Sequence, residues 1–185
     1  ATAHDLVRIV ACEGGMELER YAPGHEGGIW CEHWHRYHFA LPWAAGASVL
    51  DIACGEGYGS HLLAGRARRV VGVDVSRDVV VRARRRYGDR ENLEFLEGRC
   101  EAIPAADASA DLIVSFETLE HIPQPEKLLD EARRVLRPGG RLVVSTPDRE
   151  VYSDRRGFRN EHHLRELYRG EFADLLRRRF GAVAL

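Results

Sequence analysis

Long hydrophobic runs are missing from this sequence. No stretch approaches the roughly 20 apolar residues a bilayer-spanning helix needs, and the first residues lack the basic-then-apolar order of an export signal. Neither a membrane partner nor export is expected, and the cytoplasm is the default location. A charge excess is missing too: 27 Lys and Arg stand against 29 Asp and Glu, a net charge of −2, so nothing global draws the chain to nucleic acid. The local basic clusters, Arg82 to Arg86 and Arg177 to Arg179, fall on amphipathic helical patterns and read as solvated faces. Paired cysteines are also absent. Cys12, Cys31, Cys54 and Cys100 are scattered without a CxxC spacing, which argues against a zinc site and a disulfide framework; Cys54 and Cys100 read as small buried fillers. Oligomeric state is not set by any of these features.

What is present fits one domain with a single core: 185 residues, 44% hydrophobic and 30% charged. The organising stretch is Val49 to Ser60. Ser48 to Asp51 reads as a buried strand ending in a carboxylate. Gly55, Gly57 and Gly59 follow at alternate positions, where the missing Cβ atoms allow positive φ and let a ligand lie against the main chain. A helix from Tyr58 to about Ala64 then points its free N–H groups into the turn. A dinucleotide-binding turn needs a further glycine three residues after the second, and that place is Ser60. A tight turn with no ligand has the same composition. The second strand, Val70 to Asp74, favours a ligand, because it ends in another acid at the separation where a carboxylate takes ribose hydroxyls.

The rest alternates strand and helix: a helix over Arg77 to Tyr87 with Ser76 as N-cap, a strand at Leu93 to Leu96, another at Asp111 to Ser115, a helix starting near Pro125 and ended by Arg137 to Gly140, a strand at Arg141 to Ser145, and a helix over about Arg169 to Arg179 leading into Ala182 to Leu185. Apolar strands in this order predict an α/β fold, a doubly wound, mostly parallel sheet with its ligand site at the carboxyl ends of the strands. Residues 1–45 form an N-terminal helical extension to a core over 46–185. Thr2 to Cys12 reads as a short helix, followed by a glycine-rich linker through Gly28. Ile29 to Leu41 is a helix with Trp30, His33, Trp34, Tyr37, His38 and Leu41 on one face. Core packing is one role for that face; a lid that brings Arg36 and Tyr37 to the ligand is another.

The pattern DxxxGxGxG at Asp51 to Gly59 resembles motif I of the class I S-adenosylmethionine (SAM) methyltransferases. The resemblance extends through Asp74, the turn at Gly98 to Pro104, Asp111 to Glu117, and Arg134 to Gly140. More narrowly, Glu32 to Tyr37, Ser115 to His121, Tyr152 to Asp154 and Glu161 to Tyr168 look like methyltransferases found with glycosyltransferases in surface-polysaccharide pathways. The resemblance implies a Rossmann-like fold and SAM as cofactor, with Asp51, Ala53, Gly55, Gly57 and Gly59 around its methionine part and Asp74 on its ribose. Val75 would pack on the adenine, Cys100 and Glu101 would flank the base, and Phe116 and Tyr37 would complete the contacts. Where the family usually has an acid after the glycine of the third strand's turn, this chain has Arg99, and Glu101 is its substitute. The family's antiparallel seventh strand has no residues left at the C-terminus, which implies a truncated chain with strand four or six exposed at an edge.

Glu117, Glu120 and His121 stand at i, i+3 and i+4 beyond the fourth strand, so one helical turn would put them on one face. His162 and His163 come from the loop after the fifth. Glu117, Glu120, His121 and His163 form a candidate site for Mg²⁺ or Mn²⁺. The pattern is similar to metal-dependent O-methyltransferases acting on small-RNA 3′ ends and, in part, to those of ubiquinone synthesis. Without a metal, His121 or His163 would be the general base, with Glu117 nearby; local capping by Glu120 and His121 is the third reading. The expected reaction is O-methylation of a sugar, glycan or other small hydroxylated acceptor, with 2′-O-methylation of RNA and a non-catalytic SAM-binding module as rivals. Tyr21, Trp30, Tyr152, Arg155 and Arg156 are the loop residues expected to select the acceptor.

Overall fold

The structure, a computed structural model, describes residues 6–8 and 28–185, with side chains from residue 33 onward. Most of the expected helix over 2–12, the glycine-rich linker before Gly28, and the side chains of Tyr21 and Trp30 lie outside the described residues. The described part of that helical stretch is a strand instead: β1, Leu6–Arg8. It lies between two parallel neighbours, so both rows of its backbone groups are paired, which a helix in that slot could not achieve.

The remaining elements are α1 (Gly28–Ala44), β2 (Ser48–Ile52), α2 (Tyr58–Ala64), β3 (Arg69–Asp74), α3 (Arg77–Tyr87), β4 (Leu93–Glu97), β5 (Ala110–Phe116), α4 (Pro125–Val135), β6 (Leu136–Ser145), α5 (Arg169–Arg177) and β7 (Ala182–Ala184). The sheet order is β4-β3-β2-β5-β6-β1-β7, and every neighbouring pair is parallel. The sheet does not lack a seventh strand: β1 supplies it from the N-terminal side, between β6 and β7. Of the two strands expected at an edge, Ala182–Ala184 is at one, whereas β5 is internal. β6 begins earlier than Arg141, because Leu136 already pairs with Ala110 before the ladder resumes at Leu112 and Arg141. Arg137 to Gly140 bulge out between, with Gly139 at φ 80°.

Alternation along the strands feeds two apolar layers. Leu50, Ile113, Leu142 and Val144 face Leu128, Leu129 and Ala132 of α4 and Phe172, Leu175 and Leu176 of α5. Val49, Leu112, Val114 and Val143 face the other way, against Tyr37, Ala40 and Ala44 of α1, Leu63 and Ala64 of α2, and Val80 and Ala83 of α3. No helix among the described residues is long and apolar enough to cross a membrane.

Helix α1 is thus part of the core layer. Its buried face is Arg36, Tyr37, Ala40 and Ala44, not the aromatic stripe the spacing suggests: His38 is exposed and Trp34 and Leu41 are half-buried. The two alanines let the helix sit close to the sheet, which swings the stripe part-way to solvent. The contact is fixed by a polar latch. Tyr37 Oη donates to the Asp51 carboxyl, 3.2 Å from each oxygen, and Ser60 Oγ donates to Oδ2 at 2.6 Å. The Tyr37 ring occupies the space that a Cβ on Gly59 would need. Burial pushes the Asp51 carboxyl up from 3.8 to about 7; the two hydroxyl donors act in the opposite direction and Asp74 adds to the rise.

Two predictions follow from the latch. Gly59→Ala must displace the Tyr37 ring, so it lowers stability by ~1–3 kcal/mol, measured as the denaturation midpoint. Asp51 binds a proton more tightly folded than unfolded, so its stabilising contribution is complete below the ordinary carboxyl value and is lost as pH rises through about 7. The thermal midpoint of the wild type should therefore fall relative to Asp51→Asn between about pH 4 and 7 and run parallel to it above. A constant gap across that window would mean that Asp51 is ionised throughout.

Candidate functional site: a crevice at the strand ends

A cleft of about 800 Å³ opens at the carboxyl ends of β2, β3 and β5. Two non-glycine residues at these ends are left-handed, Ala53 after β2 (φ 60°) and Glu117 after β5 (φ 50°). Such conformations cost about 1–3 kcal/mol each and cluster at functional sites.

On one side, Gly55 (φ 53°) has nothing within 4 Å of where its Cβ would stand, so its backbone faces open space in the cleft. Asp74, 6% exposed, is oriented by two main-chain donors: the Gly55 N–H reaches Oδ2 at 3.0 Å and the Ser76 N–H reaches Oδ1 at 2.9 Å. Val75 beside it is 56% exposed, an apolar side chain left uncovered on the cleft wall. Gly98 and Cys100 continue that wall. Burial and the neighbouring Glu101 push the Cys100 thiol up to about 12, so it stays protonated. The geometry has what an adenosyl group needs: bare backbone, a pinned carboxylate with lone pairs to spare, and an apolar face.

Of the residues expected to contact a cofactor, Tyr37, Ala53, Gly55, Asp74, Val75, Cys100 and Phe116 line the cleft. Asp51, Gly57, Gly59 and Glu101 do not. Asp51 lies behind Tyr37, Gly59 makes room for the Tyr37 ring, and Gly57 makes room for Phe95. Glu101 turns to Arg99 at 3.2 Å. The second and third glycines of the motif thus serve packing between side chain and backbone, and only the first opens onto the cleft.

The opposite wall is aromatic and charged. Tyr37 meets Phe116 and Tyr58 edge-on, with ring centroids 5.0 and 5.5 Å apart. Burial, with Arg36 adding to it, pushes His33 down to about 4 and keeps it neutral. Arg36 is 2% exposed and lies 3.3 Å from Glu117 Oε2, while Ser145 Oγ donates to Glu117 Oε1 at 2.6 Å.

At the rim, Leu119–His121 form a single 3-10 turn. The expected common face of Glu117, Glu120 and His121 does not form, because the left-handed backbone at Glu117 turns its side chain toward Arg36 and Ser145. Glu120, His121 and His163 do converge, each with a ligand atom within 4.8 Å of the others. Glu120 is 1% exposed and accepts from Thr146 Oγ1 at 2.9 Å. Burial holds its carboxyl well above the ordinary range, and Glu117 raises it further. His121 Nδ1 lies 3.1 Å from the His162 carbonyl, which can only accept, so Nδ1 donates to it, and Nε2 lies 3.8 Å from Glu120 Oε1. His162 contributes that carbonyl, and its side chain is exposed. The loop is tied to the turn by Leu164 N–H on the Glu120 carbonyl at 2.7 Å. Nothing in the motif pattern points to Asn160, Thr118 or Tyr58, which also line the cleft.

A family profile described as a methyltransferase domain matches residues 50–144, somewhat more than half of the chain. A protein of Mycolicibacterium smegmatis named "Probable S-adenosylmethionine-dependent methyltransferase" is 41% identical over 133 residues, 71% of this chain and 51% of that protein. One of the same description from Mycobacterium tuberculosis is 37% identical over 150 residues, 78% of this chain and 54% of that one. The chain thus spans about half the length of these curated relatives. The crystal structure of the YcgJ protein of Bacillus subtilis superposes with a TM-score of 0.68 at 25% identity, covering 77% of this chain and 66% of that one. With the matched region running from β2 to β6 and the crevice built at its strand ends, the chain belongs to the class I SAM-dependent methyltransferase family.

Proposed function

We propose that the chain methylates a hydroxyl of a small polyhydroxylated acceptor, of sugar or glycan type, as in surface-polysaccharide synthesis. The observation that carries this reading is the group of lone pairs on Glu120, His121 and His163, placed on the rim of the same cleft that holds Asp74 and the exposed backbone of Gly55. When bound, SAM supplies an electrophilic methyl group on a sulfonium.

The chain's own residues do the rest. Asp74 takes the ribose hydroxyls, Val75 covers the adenine, and Arg36 with Tyr37 closes the methionine end. Phe116 and Tyr58 keep water from the transfer path, so that the step depends on close placement of the acceptor oxygen. His121 or His163 accepts the hydroxyl proton on Nε2. Tyr152 and Leu164 offer an apolar face to a sugar ring, and Asn160 and Thr118 offer polar edges. A polynucleotide fits less well, because Arg36 is the arginine that lines the cleft and it is buried against Glu117.

A second reading is supported by the same cluster. Ligand atoms of Glu120, His121 and His163 lie within 4.8 Å of one another, a spacing that a divalent cation would bridge in place of the proton that burial favours on Glu120. Two imidazoles and one carboxylate suit Mn²⁺ better than the harder Mg²⁺. A cation bound there would lower the pKa of the acceptor hydroxyl. Glu117, held by Arg36 and Ser145, is not in the ligand set.

Calorimetry with SAM should show Asp74→Ala weakened about 10- to 100-fold, the loss of hydrogen bonds to a charged group, and His121→Ala unchanged. In an acceptor screen with labelled SAM, loss of His121 or His163 should lower kcat about 10²- to 10⁴-fold; SAM binding with no product from any hydroxylated acceptor would sink the catalytic reading. Mn²⁺ titrated into the chain and followed by electron paramagnetic resonance should be bound tightly by the wild type and not by His163→Ala if the metal reading holds.

A further inference from the structure

We propose that Glu166 is a positioning residue that fixes the tautomer of His163, and that Asn160 holds the place of the acceptor hydroxyl on its Nε2. The inference rests on the reading of His163 as the proton acceptor and adds to it a support that its motif does not indicate.

The argument starts at Asn160. Its Oδ1 accepts the His162 backbone N–H at 3.0 Å, so the opposite edge of the amide, Nδ2, is the one that faces His163 Nε2 at 3.1 Å. An NH₂ group only donates, and Nε2 must therefore present its lone pair. A neutral imidazole with Nε2 bare carries its hydrogen on Nδ1, and Nδ1 lies 2.6 Å from Glu166 Oε1. The two ends of the ring demand the same tautomer. Ser153 Oγ in turn donates to Glu166 Oε2 at 2.5 Å, which fixes the carboxylate. The ring plane is held as well: Tyr152 stacks on it at 5.2 Å and 29°, and His121 meets it edge-on at 5.0 Å. Both side chains are shielded, His163 at 6% exposure and Glu166 at 10%.

An imidazole so restrained keeps its basic nitrogen aimed and bare before the acceptor arrives, and an adjacent carboxylate stabilises the imidazolium that forms. In the step itself the acceptor oxygen forms a bond to the methyl carbon as the carbon–sulfur bond breaks, and that bonding pair leaves on sulfur. The hydroxyl proton moves to His163 Nε2, from which the Asn160 N–H has been displaced. His163 keeps its Nδ1 hydrogen, which stays shared with Glu166 Oε1.

The test uses the full chain labelled with ¹⁵N-histidine, together with turnover of an acceptor found by the screen. The wild type should show His163 with Nδ1 protonated and Nε2 bare. Glu166→Ala should mix the tautomers and lower kcat by about tenfold or more with KM for SAM unchanged, an effect of the size general-base placement has, and Glu166→Gln, which retains an acceptor oxygen for Nδ1–H, should recover the tautomer and part of the rate. Should Glu166→Ala fail to fold, Asn160→Asp provides the second arm: it puts an acceptor opposite Nε2 and should move a proton there, with loss of turnover. A His163 spectrum that is the same in wild type, Glu166→Ala and Asn160→Asp overturns the proposal, as does a loss of rate in Glu166→Ala that Glu166→Gln does not relieve. Full activity of His163→Ala would instead overturn the base assignment, a result the tautomer spectra do not depend on.

Discussion

The contact between Tyr37 and Asp51 is the constraint on which the site depends. A carboxyl buried near the end of β2, an interior strand, must find donors, and it finds them in one hydroxyl from α2, Ser60, and one from α1, Tyr37. The second brings a helix from outside the strand–turn–helix unit onto the sheet. Once Tyr37 is pinned, its neighbour Arg36 is carried to Glu117, and the rings of Tyr37, Tyr58 and Phe116 close one wall of the cleft. Gly59 is part of the same contact, since any side chain there would expel the tyrosine ring.

The strand ends divide the labour between two kinds of carboxyl. Asp74 is met by the N–H groups of Gly55 and Ser76, which fix its orientation. Asp51 and Glu120 are met by hydroxyls and enclosed by apolar atoms, and burial favours their neutral forms. Asp74 and Glu120 in the crevice, and Asp51 behind its wall, therefore serve different ends. Asp74 is suited to hydroxyl donors, Asp51 to holding the architecture, and Glu120 to a site where a proton or a cation is wanted. Ala53 and Glu117, both left-handed, are the points at which the chain bends sharply enough to set these groups around one space.

The sheet from β2 to β6 was legible because its strands are uniformly apolar and each is followed by a turn signal and a helical period. Asp74 and Gly55 line the cleft as their place at a strand end leads one to expect. The same pattern gave no sign of the packing contacts made at Asp51, Gly57 and Gly59. Glycine removes a side chain for whatever needs the space, and spacing does not distinguish a ligand from the ring of Tyr37 or Phe95. At Glu117 the helical periodicity failed because one left-handed residue reverses the direction of a side chain, and nothing local marks a glutamate for that conformation. β1 was read as helical because three residues carry too little pattern to oppose their surroundings; its strand form comes from β6 and β7, far away in sequence. The pair His163 and Glu166 left a faint trace in its i, i+3 spacing, but the ring contacts that restrain it come from Tyr152 and His121.

Transfer of a methyl group from a sulfonium to a hydroxyl makes modest demands on a protein. The positive charge on sulfur disappears as the bond to carbon breaks, so no oxyanion has to be held, and the protein's contribution is alignment and a home for one proton. Alignment is what a rigid crevice at the ends of parallel strands supplies. A home for the proton needs a nitrogen whose lone pair the acceptor can reach. On the proposed reading, the loop from Tyr152 to Glu166 meets this need by placing an acceptor on the far side of the His163 ring and an amide donor on the near side, where the acceptor hydroxyl takes its place. On the same reading, the cofactor half of the cleft is built at the ends of β2 and β3, whereas the proton half depends on a loop, and loops tolerate changes of length and side chain more readily than strands do.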